Sequence, residues 1–335
     1  MVAGNLVRRR RVLGVLALLA VAASACGPAA ALPRGEARSS PAPRVAYVAA
    51  FGDPAEPGAL VPRVGLHPLR TLRPLATTAA QAAVVGTWHA DLVVLGEADD
   101  QLVVLSPGGR VLRRVVVGLE PDALAVRGDL ALVADSGSGQ LQGVDLQTGR
   151  VLWSVAVGAV PDALAVAGSS VLVADLASGR VVAVSLVSHR VTASADGGPE
   201  PDALAVAGSS VLVADLGADQ VLALDLPGLS QGPRVAVPFD PTGLALGPGP
   251  AGTPVAWAVG GAALVPLRLP GLLPGPAIPL GHVAEALALG PGGRTAWVAE
   301  EDGFVAAVNL ATGRVLGRTY VGGRPSALAL GPSPA

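Results

Sequence analysis

The sequence predicts an all-β fold, a seven-bladed β-propeller of four-stranded antiparallel blades, and three observations carry that prediction. The segment PDALAVAGSSVLVADL at 161–176 recurs unchanged at 201–216, and PDALAVRGDLALVAD stands one more 40-residue step back, at 121–135. Each unit divides into four short apolar runs separated by turn residues. The two ends of the chain hold complementary fragments of one further unit. A period near 40 residues with four strands per period is a propeller signature.

The first element, residues 1–25, reads as a signal peptide. Arg8 to Arg11 form the charged region, Val12 to Ala23 a short apolar region, and Ala23-Ser24-Ala25 a small-residue cleavage site. Loss of those four arginines from 23 basic residues, against 25 acidic ones, leaves the remainder at −6. A mildly acidic exported chain is a poor nucleic-acid binder. Ala-Ser-Ala-Cys resembles a bacterial lipobox, with Ala23 where leucine is usual. The resemblance implies that Cys26 becomes the lipidated N-terminus of a protein anchored in the bacterial cell envelope. Plain secretion cut at the same bond is the alternative. Residues 26–44 are rich in Pro, Ala, Ser and Gly without apolar periodicity, and read as a tether.

The propeller is expected over 45–335. Its first fragment begins with Ala46-Tyr47-Val48-Ala49 and lacks an innermost strand, which Ala327–Leu330 can supply. Pairing of the chain ends closes the ring and removes open sheet edges. Six complete units begin near 80, 118, 158, 198, 238 and 281. In the unit at Pro161 the runs are Ala163–Val166, Val171–Ala174, Val181–Leu186 and Arg190–Ala195. Short Val- and Leu-rich runs bounded by Gly and Ser are strands. Within the first strand, Asp122, Leu124 and Val126 are expected on one face and Ala123 and Ala125 on the other. Pro270, Pro274, Pro276 and Pro279 suit an outer edge that must not recruit other chains.

Composition agrees and excludes other classes. With 51% hydrophobic and 14% charged residues the chain is too apolar for disorder. No uninterrupted apolar run after residue 26 approaches 18 residues, which argues against a polytopic helical membrane protein. A single Cys allows no internal disulfide, and the absence of Lys excludes Schiff-base and P-loop chemistry.

The units resemble the YVTN repeat family of β-propellers. Tyr47-Val48-Ala49-Ala50, Leu132-Val133-Ala134-Asp135, Leu172-Val173-Ala174-Asp175, Leu212-Val213-Ala214-Asp215 and Trp297-Val298-Ala299-Glu300 occupy its tetrapeptide position. Thr-Gly-Arg-Val stands at 148–151 and 312–315. Residues 147–153, ending Val151-Leu152-Trp153, also look like a quinoprotein-type blade. The resemblance implies the fold and leaves the role open, because such propellers host many functions.

Enzyme signatures are sparse. His67, His89, His189 and His282 are spread over opposite faces and cannot make a three-His metal site. There is no Cys-x-x-Cys-His for haem and no G-x-S-x-G elbow. Trp257 and Trp297 share a column with Leu132, Leu172 and Leu212 and read as core.

The acidic residues are more informative. Between-blade loops carry Asp122, Asp162, Asp202 and Glu285 beside His282, and second-to-third strand loops carry Asp135, Asp175, Asp215 and Glu300. Both loop sets lie on one face of a propeller, here the upper face. Arginines such as Arg70, Arg110, Arg127 and Arg150 fall in the lower turns, as does Arg73, against the few acids Asp91 and Asp129. Asp is also an ordinary turn residue, so any single one is explained by turn chemistry. Segregation by face suggests binding of a protein or small-ligand partner, or of a hard cation such as Ca²⁺ at Asp122, Asp162 and Asp202. The expected role is binding or scaffolding through the acidic face and central channel, without a nucleic-acid partner. The alternative is a propeller enzyme or redox-associated protein of quinoprotein or lactonase type.

Overall fold

The computed structural model describes residues 45–51, 60–66, 69–76, 82–248 and 253–331. The signal segment, Cys26, the tether and His67 lie outside the described residues. Seven antiparallel sheets form the fold. Six are built from consecutive chain. In blade 2 the strands are Ala82–Trp88, Asp91–Gly96, Gln101–Leu105 and Val111–Val116. Blade 3 has Pro121–Arg127, Leu130–Asp135, Gln140–Asp145 and Arg150–Ala156, and blade 4 has Pro161–Ala167, Ser170–Asp175, Arg180–Ser185 and Arg190–Asp196. Blade 5 has Pro201–Ala207, Ser210–Asp215, Gln220–Asp225 and Ser230–Ala236. Blade 7 has Ala284–Leu289, Thr295–Glu300, Phe304–Asn309 and Arg314–Tyr320.

Blade 1 is closed by the two ends of the chain. Its innermost strand is Arg324–Gly331, followed outward by Val45–Phe51, Leu60–Leu66 and Leu69–Ala76. Val45 pairs with Gly331 and Val48 with Leu328. Blade 6 departs from the regular pattern. After Gly243–Pro248, Pro254–Gly260 and Ala263–Arg268, its outer strand is split into Leu273–Pro274 and Ile278–Pro279, both paired to the third strand. Proline lacks the N–H that a ladder needs, so the proline-rich edge pairs only in fragments.

One apolar cluster joins each pair of neighbouring blades, including blade 7 to blade 1, so the ring is continuous. Alternation in the inner strands makes those joints. Leu124 and Val126 pack against blade 2, while Ala123 and Ala125 meet Leu164 and Val171 of blade 4. Large side chains on one sheet thus nest against small ones on the next. Leu164 is almost fully buried, and truncating such a leucine typically costs about 2–5 kcal/mol. Trp257 and Trp297 sit in these clusters.

Asp122 leaves the expected alternation. Pro121 pairs with Asp135 and Ala123 with Ala134, so Asp122 is an extra residue in a bulge. The same shift places Asp162, Asp202, Glu285 and Ser326 in bulges of their own blades. A bulge frees a side chain from the pleat and re-aims it. Thr242 stands at the equivalent point of blade 6, just before its first strand. The lower turns are built differently. Asp145 Oδ1 accepts N–H bonds from Gln147 and Thr148 at 2.8 and 3.1 Å, and Asn309 does the same for Ala311 and Thr312. These turns hold the Thr-Gly-Arg-Val segments, with Gly149 at φ 71°.

Candidate functional site

At the start of the innermost strands, on the upper face, bulges set a polar residue in five blades, Thr242 takes the matching place in blade 6, and blade 2 has Ala83 there. Asp122, Asp162, Asp202, Thr242, Glu285 and Ser326 are all buried. They stand at the upper mouth of the ring of inner strands, buried instead of forming an open acidic surface. The hydroxyls are satisfied within the fold, since Thr242 Oγ1 donates to the Ala284 carbonyl at 3.1 Å and Ser326 Oγ to that of Ala49 at 3.4 Å. The carboxyls are not all so placed. Asp202 is 3% exposed, and its Oδ2 has no hydrogen-bond partner among the described residues. Burial raises the pKa of Asp202, and the charge of Glu200 adds to that rise. Glu285 is pushed up to about 7 by burial, with Arg324 opposing the rise and Asp202 adding to it. Asp202 and Glu285 belong to blades 5 and 7, so their mutual repulsion acts across the mouth, past blade 6.

Arg324 is a cation of the fold's own at this mouth. From the first position of the innermost strand of blade 1 its guanidinium lies 3.5 Å from Glu285 and pairs with Glu301. The blade 7 end of the mouth is therefore part-neutralised.

A second row of carboxyls, at the ends of the second strands, has a structural task. Asp175 accepts N–H bonds from Val160 at 2.8 Å and Ala159 at 3.2 Å, and a bond from Ser178 Oγ. Asp215 accepts from Glu200 N–H at 3.0 Å and Gln220 Nε2 at 2.7 Å. Each carboxylate thus latches the loop that enters its own blade. The latch needs glycine opposite it: a Cβ at Gly158 would lie 2.2 Å from Asp175 Oδ2, and one at Gly198 2.0 Å from Asp215 Oδ2. Asp135 occupies the matching place against Gly118, yet makes no hydrogen bond of normal geometry. The sequence signal for the latch was a glycine four residues before Asp122, Asp162 and Asp202 in three successive units.

Glu300 completes this row differently. It is buried, and Arg318 Nε binds both its oxygens, at 3.1 and 2.9 Å, while Arg318 also donates to the Leu280 carbonyl. Beside it, His282 Nδ1 lies 2.5 Å from Asp302 Oδ2. His282, Glu300 and Asp302 are the one group of three His, Cys, Asp or Glu ligand atoms within 4.8 Å of one another among the described residues. The Arg318 guanidinium already neutralises Glu300 at both oxygens, which favours an ion-pair network over a metal ion there.

The expected Ca²⁺ ligands do not gather. Ca²⁺ holds oxygens at 2.3–2.6 Å, so two ligands of one ion stand at most about 5 Å apart. Asp122, Asp162 and Asp202 form no such group, because each is held on the inner strand of a different blade.

Arginines gather at the lower turns. Arg70, Arg110, Arg127, Arg150, Arg190 and Arg314 are exposed there, and the structure adds Arg268. Arg73 instead lies within the outer strand Leu69–Ala76, where its carbonyl accepts from Arg63 Nε. Asp145 and Asp225 join Asp91 and Asp129 as acids of the lower face.

No protein-family model matches the chain, and no curated protein does. Among solved structures, a chain of Kuenenia stuttgartiensis hydrazine synthase is similar with a TM-score of 0.66 and 14% sequence identity, over 77% of this chain and 91% of that one. In all, 1634 chains of known structure match, so the likeness identifies a widely shared fold and selects no activity.

Proposed function

We propose that the protein is an exported lipoprotein of YVTN-repeat type, anchored in the bacterial envelope through Cys26, whose propeller is a binding module for a cationic group presented at the upper face. The observation that carries the binding reading is the set of buried carboxyls at bulge positions, with Asp202 Oδ2 unpartnered and Glu285 already facing one guanidinium. Burying charge is costly unless it is paired, so a mouth built this way favours a ligand that brings positive charge. The Arg324–Glu285 contact supports a guanidinium or ammonium, as on a basic protein segment, over a bare metal ion.

Calorimetric titration with an oligoarginine peptide tests this, with Ca²⁺ as a separate arm. Binding of the peptide that weakens at least ten-fold in Asp202→Asn supports the reading. Equal peptide binding by wild type and Asp202→Asn refutes it, and tight Ca²⁺ binding without peptide binding returns the site to a metal. Anchorage is tested independently, by mass spectrometry of the N-terminal peptide from native membranes.

A further inference from the structure

The lower face carries a second set of features that the binding reading does not use. Both termini of the propeller lie there, because Val45 pairs with Gly331 and with Gly65, beside the turn that precedes Arg70. The 44 residues that precede Val45 therefore join the fold at this face. Arg70, Arg110, Arg127, Arg150, Arg190 and Arg314 come from five different blades and are exposed. None of the six is in an ion pair with another described residue. Three acids of the face are turned into local hydrogen bonds. Asp145 caps its turn, Asp129 accepts from Trp88 Nε1 at 3.0 Å and Gln147 Nε2 at 2.6 Å, and Asp225 accepts from Ser210 at 2.7 Å. With Arg268, seven arginines stand against the four acids Asp91, Asp129, Asp145 and Asp225, so these groups sum to +3 (7 minus 4).

One sector adds apolar surface to that charge. The outer hairpins of blades 3 and 4 touch through a stacked pair, Trp153 on His189, with ring centroids 4.8 Å apart. Around it Val187 is 80% exposed, Leu152 56% and Val191 45%, with Arg150 and Arg190 at the same turns. Apolar tips beside an aromatic ring and arginines suit the boundary between lipid headgroups and acyl chains. A water-facing rim does not require them.

We propose that the lower face docks on an anionic lipid surface, with Val187 and Leu152 entering the headgroup layer between Arg150 and Arg190. The choice of a lipid surface rests on the anchorage reading above: a chain tethered from this face meets a membrane with this face first. Docking would turn the carboxylate mouth away from the bilayer. It is a separate contact from lipidation, because it uses the folded surface alone.

The test uses the full chain with Cys26→Ser, which cannot be lipidated and leaves no other thiol. Val187→Cys in that background accepts an environment-sensitive fluorophore on the lower rim, and Val116→Cys, 72% exposed at the upper end of blade 2, serves as control. Vesicles contain 30 mol% phosphatidylglycerol in phosphatidylcholine, or phosphatidylcholine alone. Binding to the anionic vesicles is expected, with a blue shift at position 187 and none at 116. It should weaken with salt, since surface potentials decay over about 8–10 Å at physiological ionic strength. Each arginine near such a surface contributes about five-fold in affinity, so Arg150→Gln with Arg190→Gln should weaken binding by about 25-fold. Equal binding to both vesicles, a blue shift at 116 instead of 187, or no binding at all overturns the proposal. An unlipidated Cys26 in native membranes would sink the anchorage reading and leave the vesicle result intact.

Discussion

Replacing Asp135 with asparagine should remove most of one pH dependence of stability. The Asp135 carboxyl is fully buried against Gly118. Burial pushes it from the usual 3.8 up to about 7; the Gly118 N–H opposes that rise, and the charges of Asp100 and Asp122 add to it. The Gly118 relief is partial, because neither oxygen makes a hydrogen bond of normal geometry. A carboxyl whose folded pKa is raised binds its proton more tightly in the folded state. Its stabilising contribution is complete below about pH 4 and is lost as pH rises to about 7. Each pKa unit corresponds to about 1.36 kcal/mol, so the rise is worth about 4 kcal/mol at most. Asparagine keeps the shape and cannot ionise. Urea denaturation at about pH 4 and pH 8 reads the difference between variant and wild type, in which the other titrating groups cancel. Near parity at pH 4 and a gain of several kcal/mol for Asp135→Asn at pH 8 are expected. An equal loss of stability at both pH values would show that the carboxyl is ionised and stabilising, and the reasoning would be wrong.

Three further outcomes follow from the same contacts. Gly158→Ala drives a Cβ into the Asp175 carboxylate and should cost about 2–3 kcal/mol through lost loop hydrogen bonds, measured by thermal unfolding; Gly168→Ala, also at positive φ but with open space around it, should cost less. Arg318→Gln leaves Glu300 buried without its cation and should cost about 3 kcal/mol at neutral pH, with partial recovery in acid; denaturation that is insensitive to the change would refute the pairing. A chain ending at Gly323 lacks the inner strand of blade 1 and should associate through the exposed edge, seen as oligomers in size-exclusion chromatography.

Much of the architecture was legible because the repeat is covalent information. Identical segments must fold alike, and a period of 40 residues with four apolar runs leaves few alternatives. The split outer strand of blade 6 was foreshadowed by its prolines. The site was legible only as a list of acids. Alternation assumes an unbroken pleat, so it put Asp122 in line with Leu124, whereas the bulge takes it out of that line. Asp135, Asp175 and Asp215 looked equivalent to that row, since both sit beside upper loops. Their partners are glycines and N–H groups roughly 15 residues earlier in the chain, across a loop whose path the period alone does not give. Arg318 and Arg324 were missed because they belong to blades that have diverged from the repeat.

The pairing of Val45–Phe51 with Arg324–Gly331 also sets an order of assembly. Synthesis delivers the three outer strands of blade 1 first and its innermost strand last. Throughout elongation the edge of Val45–Phe51 has no native partner, and every later blade is laid down on a ring that cannot yet close. The last strand is therefore the one that closes the seam, and a chain stopped short is left with an open sheet edge along Val45–Phe51.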